Sequence, residues 1–204
     1  MLIEQPPIIY RILFPGALWR INKSEKCVYL TFDDGPAPEI TPWVLDLLDE
    51  YNIKATFFCV GDNVRKHPEI YKQILDRGHC VGNHTFHHKQ GLGCRTKKFV
   101  LNATLAARYI DSKLFRPPHG HMRFKQVFKL RKDYKIVMWD VVTRDYSKWL
   151  NAEQVFQIVK KYTRNGSVIV FHDSPKAEPR MKEALPKSIE WLLEQGYTFK
   201  LFDN

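Results

Sequence analysis

His84 and His88 lie four residues apart in the stretch Asn-His-Thr-Phe-His-His that begins at Asn83, which holds three of the chain's eight histidines. If this stretch is one turn of helix, both imidazoles share a face and can grip one cation, while His87 points elsewhere. A polar loop would read the same way, so the pair alone leaves metal binding open. Asp33 and Asp34, followed by Gly35 and Pro36, supply the missing chemistry. One carboxylate can ligate while its neighbour faces a water. Two nitrogens and one oxygen leave a fourth position open, the pattern of a catalytic zinc site. Taken by themselves, the same four residues would also make an ordinary acidic turn.

Three further stretches carry polar residues at awkward places. Arg116 precedes Pro117 and Pro118 and could clamp a carboxylate, holding it ionised and oriented. The two prolines stiffen that loop, and the first backbone N–H after them, that of His119, could face a developing oxyanion. The His119 and His121 side chains are placed at the surface or the substrate rim, away from the metal. His172 ends an apolar run, where it could donate a proton to a leaving group. Asp145 could hold that imidazole and raise its pKa; Asp173 competes for the role but could instead bond the local backbone.

The elements that must position these groups alternate. Strands are expected at Cys27–Phe32, Ala55–Val60, Cys80–Asn83, Lys113–Arg116, Tyr134–Val142, Ser167–His172 and Tyr197–Phe202. Helices are expected at Ile40–Tyr51, Pro68–Gly78, Thr96–Asp111, Lys125–Lys132, Ala152–Tyr162 and Ala184–Gly196. Such alternation implies a parallel sheet covered by helices. The polar residues fall just after the strands. In a parallel barrel those points meet at one mouth, whereas an open sheet would spread them along an edge. Their convergence favours a barrel.

The remaining features bound the class of protein. The chain has 204 residues, enough for one domain with one sizeable core. Hydrophobic residues make up 44%, which excludes a disordered chain. No P-loop or Gly-x-Gly-x-x-Gly sequence supports a nucleotide site. The net charge of +10 favours anionic partners, yet no aromatic-basic motif points to nucleic acid, and none is expected as a partner. The four cysteines are widely spaced and read as unpaired thiols. The apolar stretch Ile8–Trp19 is interrupted by Arg11 and is too short to span a bilayer. It reads as a segment, within residues 1–24, packed on a domain formed by residues 25–204. Trp19 and Arg20 leave weak membrane-surface association open. No export signal is evident, which favours the cytoplasm or the inner membrane face as the location, and a monomer is expected.

The stretches Thr-Phe-Asp-Asp-Gly-Pro (31–36), His-Thr-Phe-His-His (84–88), Arg-Pro-Pro-His-Gly (116–120), Trp-Asp-Val-Val-Thr-Arg-Asp-Tyr (139–146) and Val-Phe-His-Asp-Ser (170–174) follow one another along the chain. In order and approximate spacing they resemble the five motifs of polysaccharide deacetylases, the NodB-homology enzymes of carbohydrate esterase family 4. The resemblance runs from Cys27 to the C-terminus. It implies a single-domain α/β fold, a distorted (β/α)7 barrel. It implies a divalent metal on Asp34, His84 and His88, with zinc the first choice and cobalt or nickel acceptable. Asp33 would be the general base, His172 the general acid, Arg116 would orient Asp33, and Asp145 would tune His172. Pro118, His119 and Tyr146 would border the substrate and the oxyanion. The implied reaction removes N-acetyl groups from an amino-sugar polymer or oligomer and releases acetate. An O-acetyl esterase and a weakly active carbohydrate-binding homologue remain as alternatives. Three departures stand out: His119 replaces a usual Tyr, Val142 replaces the first Asp of Asp-x-x-Asp-Trp with Tyr146 in place of its Trp, and Val170 replaces a usual Leu.

Overall fold

The computed structural model describes residues 4–202. After a short helix α1 (Ile8–Ile12), the chain enters β1 (Cys27–Asp33), all seven residues of which are buried. Then come α2 (Ile40–Glu50), β2 (Thr56–Cys59), α3 (Gly61–Lys66), α4 (Pro68–Asp76), β3 (Cys80–Asn83), α5 (Thr96–Ala106) and β4 (Leu114–Phe115). The second half runs through α6 (Phe124–Leu130), β5 (Lys135–Ile136), β6 (Val141–Val142), α7 (Ala152–Tyr162), β7 (Ser167–His172), α8 (Glu178–Glu194) and β8 (Thr198–Phe199). The strands pair in the order β5-β4-β3-β2-β1-β7-β6, every pair parallel. β8 adds to the first residues of β1, where Cys27 and Val28 align with Thr198 and Phe199. The curled sheet with its surrounding helices is a distorted (β/α)7 barrel.

Side-chain alternation on β1 explains how both faces are filled. Val28, Leu30 and Phe32 join the outer core with Val44, Leu45 and Ile189 of α2 and α8. Cys27 and Tyr29 join the inner core, where Phe58, Leu114 and Phe202 fill the barrel. The same parity carries Thr31 and Asp33 inward at the upper end. On β7, Val168 and Val170 face in while Ile169 and Phe171 face out, so His172 again falls on the inner side. Because Asp33 and His172 are register partners, the two polar ends meet at one mouth.

Three expectations need correction. Tyr134–Val142 is two strands rather than one: Val137 N–H still donates to Phe115 on β4, but Asp140 N–H donates to Val168 on β7. The chain therefore crosses the seam of the barrel between these points. Helix α8 starts at Glu178 rather than Ala184, because Met181 extends its buried face by another turn and Pro179 is tolerated in the first turn. Trp19 is buried against Tyr10 and Phe14, which removes it as an interfacial anchor. All four cysteines are free, as expected. Among the described residues no helix is long and apolar enough to cross a membrane.

The N-terminal segment fills the seam. Leu18 N–H donates to Ile136 and its carbonyl accepts from Met138, while Ile21 N–H donates to Gly166. Arg11 reaches the wholly buried Asp140 at 2.6 Å, and Arg164 and Ser167 bond the same carboxylate. The strap passes so close to Gly166, at φ +75°, that a Cβ there would lie 1.7 Å from the Ile21 carbonyl oxygen. Gly166→Ala is therefore expected to destabilise the fold by about 2–4 kcal/mol. The check is a lower urea midpoint at unchanged slope, and an unchanged midpoint would show that the strap can be displaced at no cost.

Candidate active site

Residues 84–88 are not a helical turn. They form a bent loop after β3, with Thr85 and His88 at φ of +63° and +50°. Asn83 Oδ1 accepts from Thr85 N–H, and Asn102 Oδ1 accepts from both Phe86 and His87 N–H. This bracing turns His84 and His88 toward each other, ring centroids 5.1 Å apart, and pairs the His87 ring with Asn102 at 2.8 Å. The structure thus brings His84 and His88 together as expected, but in a bent loop rather than a helical turn. Asp34, at φ +86° after β1, completes a group of three potential ligand atoms within 4.8 Å of one another. Its Oδ1 lies 3.1 Å from His88 Nε2 and 3.7 Å from His84 Nε2.

The donor set fits a divalent cation. His84 is buried, and its Nδ1 lies 2.8 Å from the Arg116 carbonyl oxygen. A carbonyl can only accept, so Nδ1 carries the hydrogen and Nε2 keeps its lone pair toward Asp34. Burial, opposed by Asp33, lowers the His84 pKa to about 4, which keeps the ring neutral as a ligand must be. Burial pushes the Asp34 carboxyl up, but the hydrogen bond from His88 and the nearby His172 and His84 outweigh it and hold it well below the usual carboxylate range.

Beside this group stand two held side chains. Arg116 is wholly buried, and its Nη1 donates to Asp33 Oδ1 at 2.6 Å and to Thr31 Oγ1 at 2.8 Å. Its Nη2 and Nε donate to the Met138 and Val137 carbonyls, and its guanidinium lies 4.0 Å over the Phe58 ring. On the other strand, His172 Nδ1 lies 2.7 Å from Asp145 Oδ1, and Asp145 Oδ2 accepts from the His172 backbone N–H. Burial lowers the His172 pKa, but Asp145, Asp34 and Asp33 raise it further, to about 9. Asp173 does not compete. It accepts from Gly35 N–H and from the Thr41 hydroxyl and so braces the turn that carries Asp34. Asp33, Asp34, His84, His88 and His172 open on a cleft of about 330 Å³, while Arg116, Asp145 and Asp173 stand buried behind them.

Residues 20–139 match the family model described as polysaccharide deacetylase. A peptidoglycan-N-acetylglucosamine deacetylase of Bacillus cereus is 35% identical over 190 residues, spanning 89% of this chain and 88% of that protein. The chain belongs to the polysaccharide deacetylase family. A peptidoglycan-N-acetylmuramic acid deacetylase of Bacillus subtilis is 32% identical over 195 residues, spanning 90% of this chain and 72% of its own length. The crystal structure of a peptidoglycan N-acetylglucosamine deacetylase in complex with 4-naphthalen-1-yl-N-oxidanyl-benzamide superposes with a TM-score of 0.84 at 31% identity, over 96% of this chain and 94% of that one. Carbohydrate esterase family 4 is metal-dependent, and Asp34, His84 and His88 are the set that would hold the ion here.

In this polysaccharide deacetylase the departures fall on the cleft walls. Tyr146 packs edge-on against His172 at 4.9 Å, Val142 and Val170 line the cleft, and the His119 ring lies 4.8 Å from that of His88. Pro118 opens a single 3-10 turn that sets His119 at φ +59°. Two lining residues escaped the sequence reading. Trp139 lies within a run that reads as buried strand, and Lys176 looks like any surface lysine until the chain after β7 folds back over the mouth. Asp173 as a brace was equally hidden, since its partners Gly35 and Thr41 are more than 130 residues away.

His84→Ala is expected to weaken metal binding by at least about 100-fold, while His87→Ala leaves it unchanged. Chelator competition with metal analysis reads this directly, and equal retention by both variants would remove His84 from the ligand set. Asp145→Asn takes away a carboxylate that raises the His172 pKa. An acid works only while protonated, so the alkaline limb of the pH–rate profile is expected to move to lower pH by about one unit or more. An unmoved limb would assign it to another group.

Proposed function

We propose that this chain hydrolyses the N-acetyl amide of an amino-sugar glycan to free amine and acetate, with zinc as the ion. The observation that carries this reading is the meeting, in one cleft, of a three-ligand set, an arginine-held carboxylate and a carboxylate-held imidazole. Bound at Asp34, His84 and His88, the ion would supply Lewis-acid polarisation of the acetyl carbonyl and a more acidic water. One carboxylate and two imidazoles also accept cobalt or nickel; zinc is favoured by its preference for a mixed nitrogen and oxygen set with an open position.

Asp33 has Oδ1 committed to Arg116, which leaves Oδ2 to take a proton from the attacking water. The His119 N–H, presented by the rigid turn after Pro117 and Pro118, would face the oxyanion that develops on the acetyl oxygen. His172 donates Nδ1–H to Asp145, so its exchangeable proton sits on Nε2 and passes to the leaving nitrogen. An amide needs that acid because a bare amine anion leaves poorly; an ester needs it less. The raised His172 pKa therefore favours N-deacetylation over O-deacetylation. The names of the relatives favour peptidoglycan as the glycan, with chitooligosaccharides as the simpler soluble substrate.

The test is acetate release by the zinc-loaded protein from peptidoglycan fragments and chitooligosaccharides, against acetylated xylan and non-sugar acetamides. Turnover of the first two is expected. Asp33→Asn should lose about 10³-fold in rate with metal content intact, and near-normal turnover in that variant would exclude Asp33 as the base.

A further inference from the structure

Helix α1 is turned with its polar side inward. Tyr10 donates its hydroxyl to the Gly120 carbonyl at 2.7 Å, and Arg11 reaches Asp140 and the Pro6 carbonyl. These contacts fix the helix and leave its isoleucines in solvent: Ile8 is 72% exposed, Ile9 73% and Ile12 68%. Such exposure of three consecutive-turn aliphatics is unusual for a helix anchored to a well-packed body. The apolar surface continues. Leu13, Leu92 and Phe124, all exposed, rim a groove of about 390 Å³ floored by Phe14 and Met122. Phe128 is 55% exposed one helical turn further along α6, under the Arg131 guanidinium, which in turn lies beside Gly16 of the strap.

Charge around α6 is mostly positive, with Asp133 the exposed acidic residue beside five exposed cations. Arg123, Lys125, Lys129, Arg131 and Lys132 are exposed on or beside α6, and among the described residues none of them pairs with a carboxylate. An apolar surface ringed by unpaired cations matches the chemistry of an anionic bilayer, in which hydrocarbon lies just beneath negative headgroups. A second copy of the chain would press this basic face against its own like charge.

We propose that α1, Leu13 and the exposed phenylalanines of α6 dock the protein on the surface of an anionic phospholipid bilayer. The docked face adjoins the substrate rim, since Gly120, which holds Tyr10, is the neighbour of His119. The N-acetylated glycan would then be met close to a lipid surface.

The test is co-sedimentation of the full chain with phosphatidylglycerol–phosphatidylcholine vesicles and with phosphatidylcholine vesicles alone. Partitioning to the anionic vesicles is expected to be at least about tenfold stronger and to fall as salt rises. Ile9→Glu/Ile12→Glu should lose about tenfold or more with an unchanged melting curve, and Lys125→Glu/Lys129→Glu should lose a comparable factor. Acetate release from soluble chitooligosaccharides should be unaltered in both variants, and vesicle binding is read whether or not the chain proves to be a deacetylase. Absence of binding, or binding indifferent to the isoleucine changes, would overturn the proposal. So would a concentration-dependent dimer that Ile9→Glu/Ile12→Glu dissolves, since the occupant would then be a second copy.

Discussion

A guanidinium cut off from water can persist only if its positive charge and all its donors are met, and Arg116 shows how much structure that demand organises. Its side chain holds Asp33 and Thr31 of β1 and the two carbonyls at the barrel seam, Val137 and Met138. Its own carbonyl fixes the tautomer of His84. One residue thus ties together a carboxylate aimed at the cleft, an imidazole of the candidate cation site and the place where the sheet fails to close. Removing one partner from such a buried pair costs about 3–5 kcal/mol, because the other is left charged and unmet. Cleft geometry and barrel integrity are therefore the same constraint here.

The two imidazoles that matter most are the same residue type pushed in opposite directions. His84 bonds a carbonyl rather than a carboxylate, so burial outweighs the attraction of Asp33 and Asp34 and the ring stays neutral with its pKa near 4. His172 faces Asp145 and lies near Asp33 and Asp34, so attraction wins over burial and its pKa rises to about 9. A neutral ring offers a lone pair and a charged ring offers a proton. The difference of environment, and not of residue, suits one ring to holding a cation and the other to giving up a proton.

The seam also explains why the N-terminal segment cannot be read as an appendage. Strands β5 and β6 pair with β4 and β7 but, among the described residues, not with each other. Leu18 and Arg20 bridge the two sides, and the cluster of Arg11, Arg164 and Ser167 around Asp140 locks them there. Holding Arg11 inward is what leaves the isoleucines of α1 facing out. The packing of the barrel and the apolar outer face of the helix are two consequences of one buried carboxylate.

Much of this was legible in the sequence. Apolar runs such as Cys27–Phe32 and Ser167–His172 marked the strands, and alternation along an extended backbone dictates which of their residues share a face. Five polar stretches placed after strands announced a common mouth, and the motif resemblance singled out Asp34, His84 and His88, which the fold brings together. What the chain alone did not contain was whatever depends on partners far away. The His84–His88 loop is set by Asn102 and by positive φ angles, not by helical spacing. Trp19 left a membrane-surface anchor open until Tyr10 and Phe14 closed over it. Asp173 acquired its place only when Gly35 and Thr41 came within reach, and Lys176 only when the loop after β7 came to line the cleft. Local periodicity is carried by the backbone and survives in one dimension, whereas orientation, burial and pKa are set by neighbours that only the tertiary fold brings into contact.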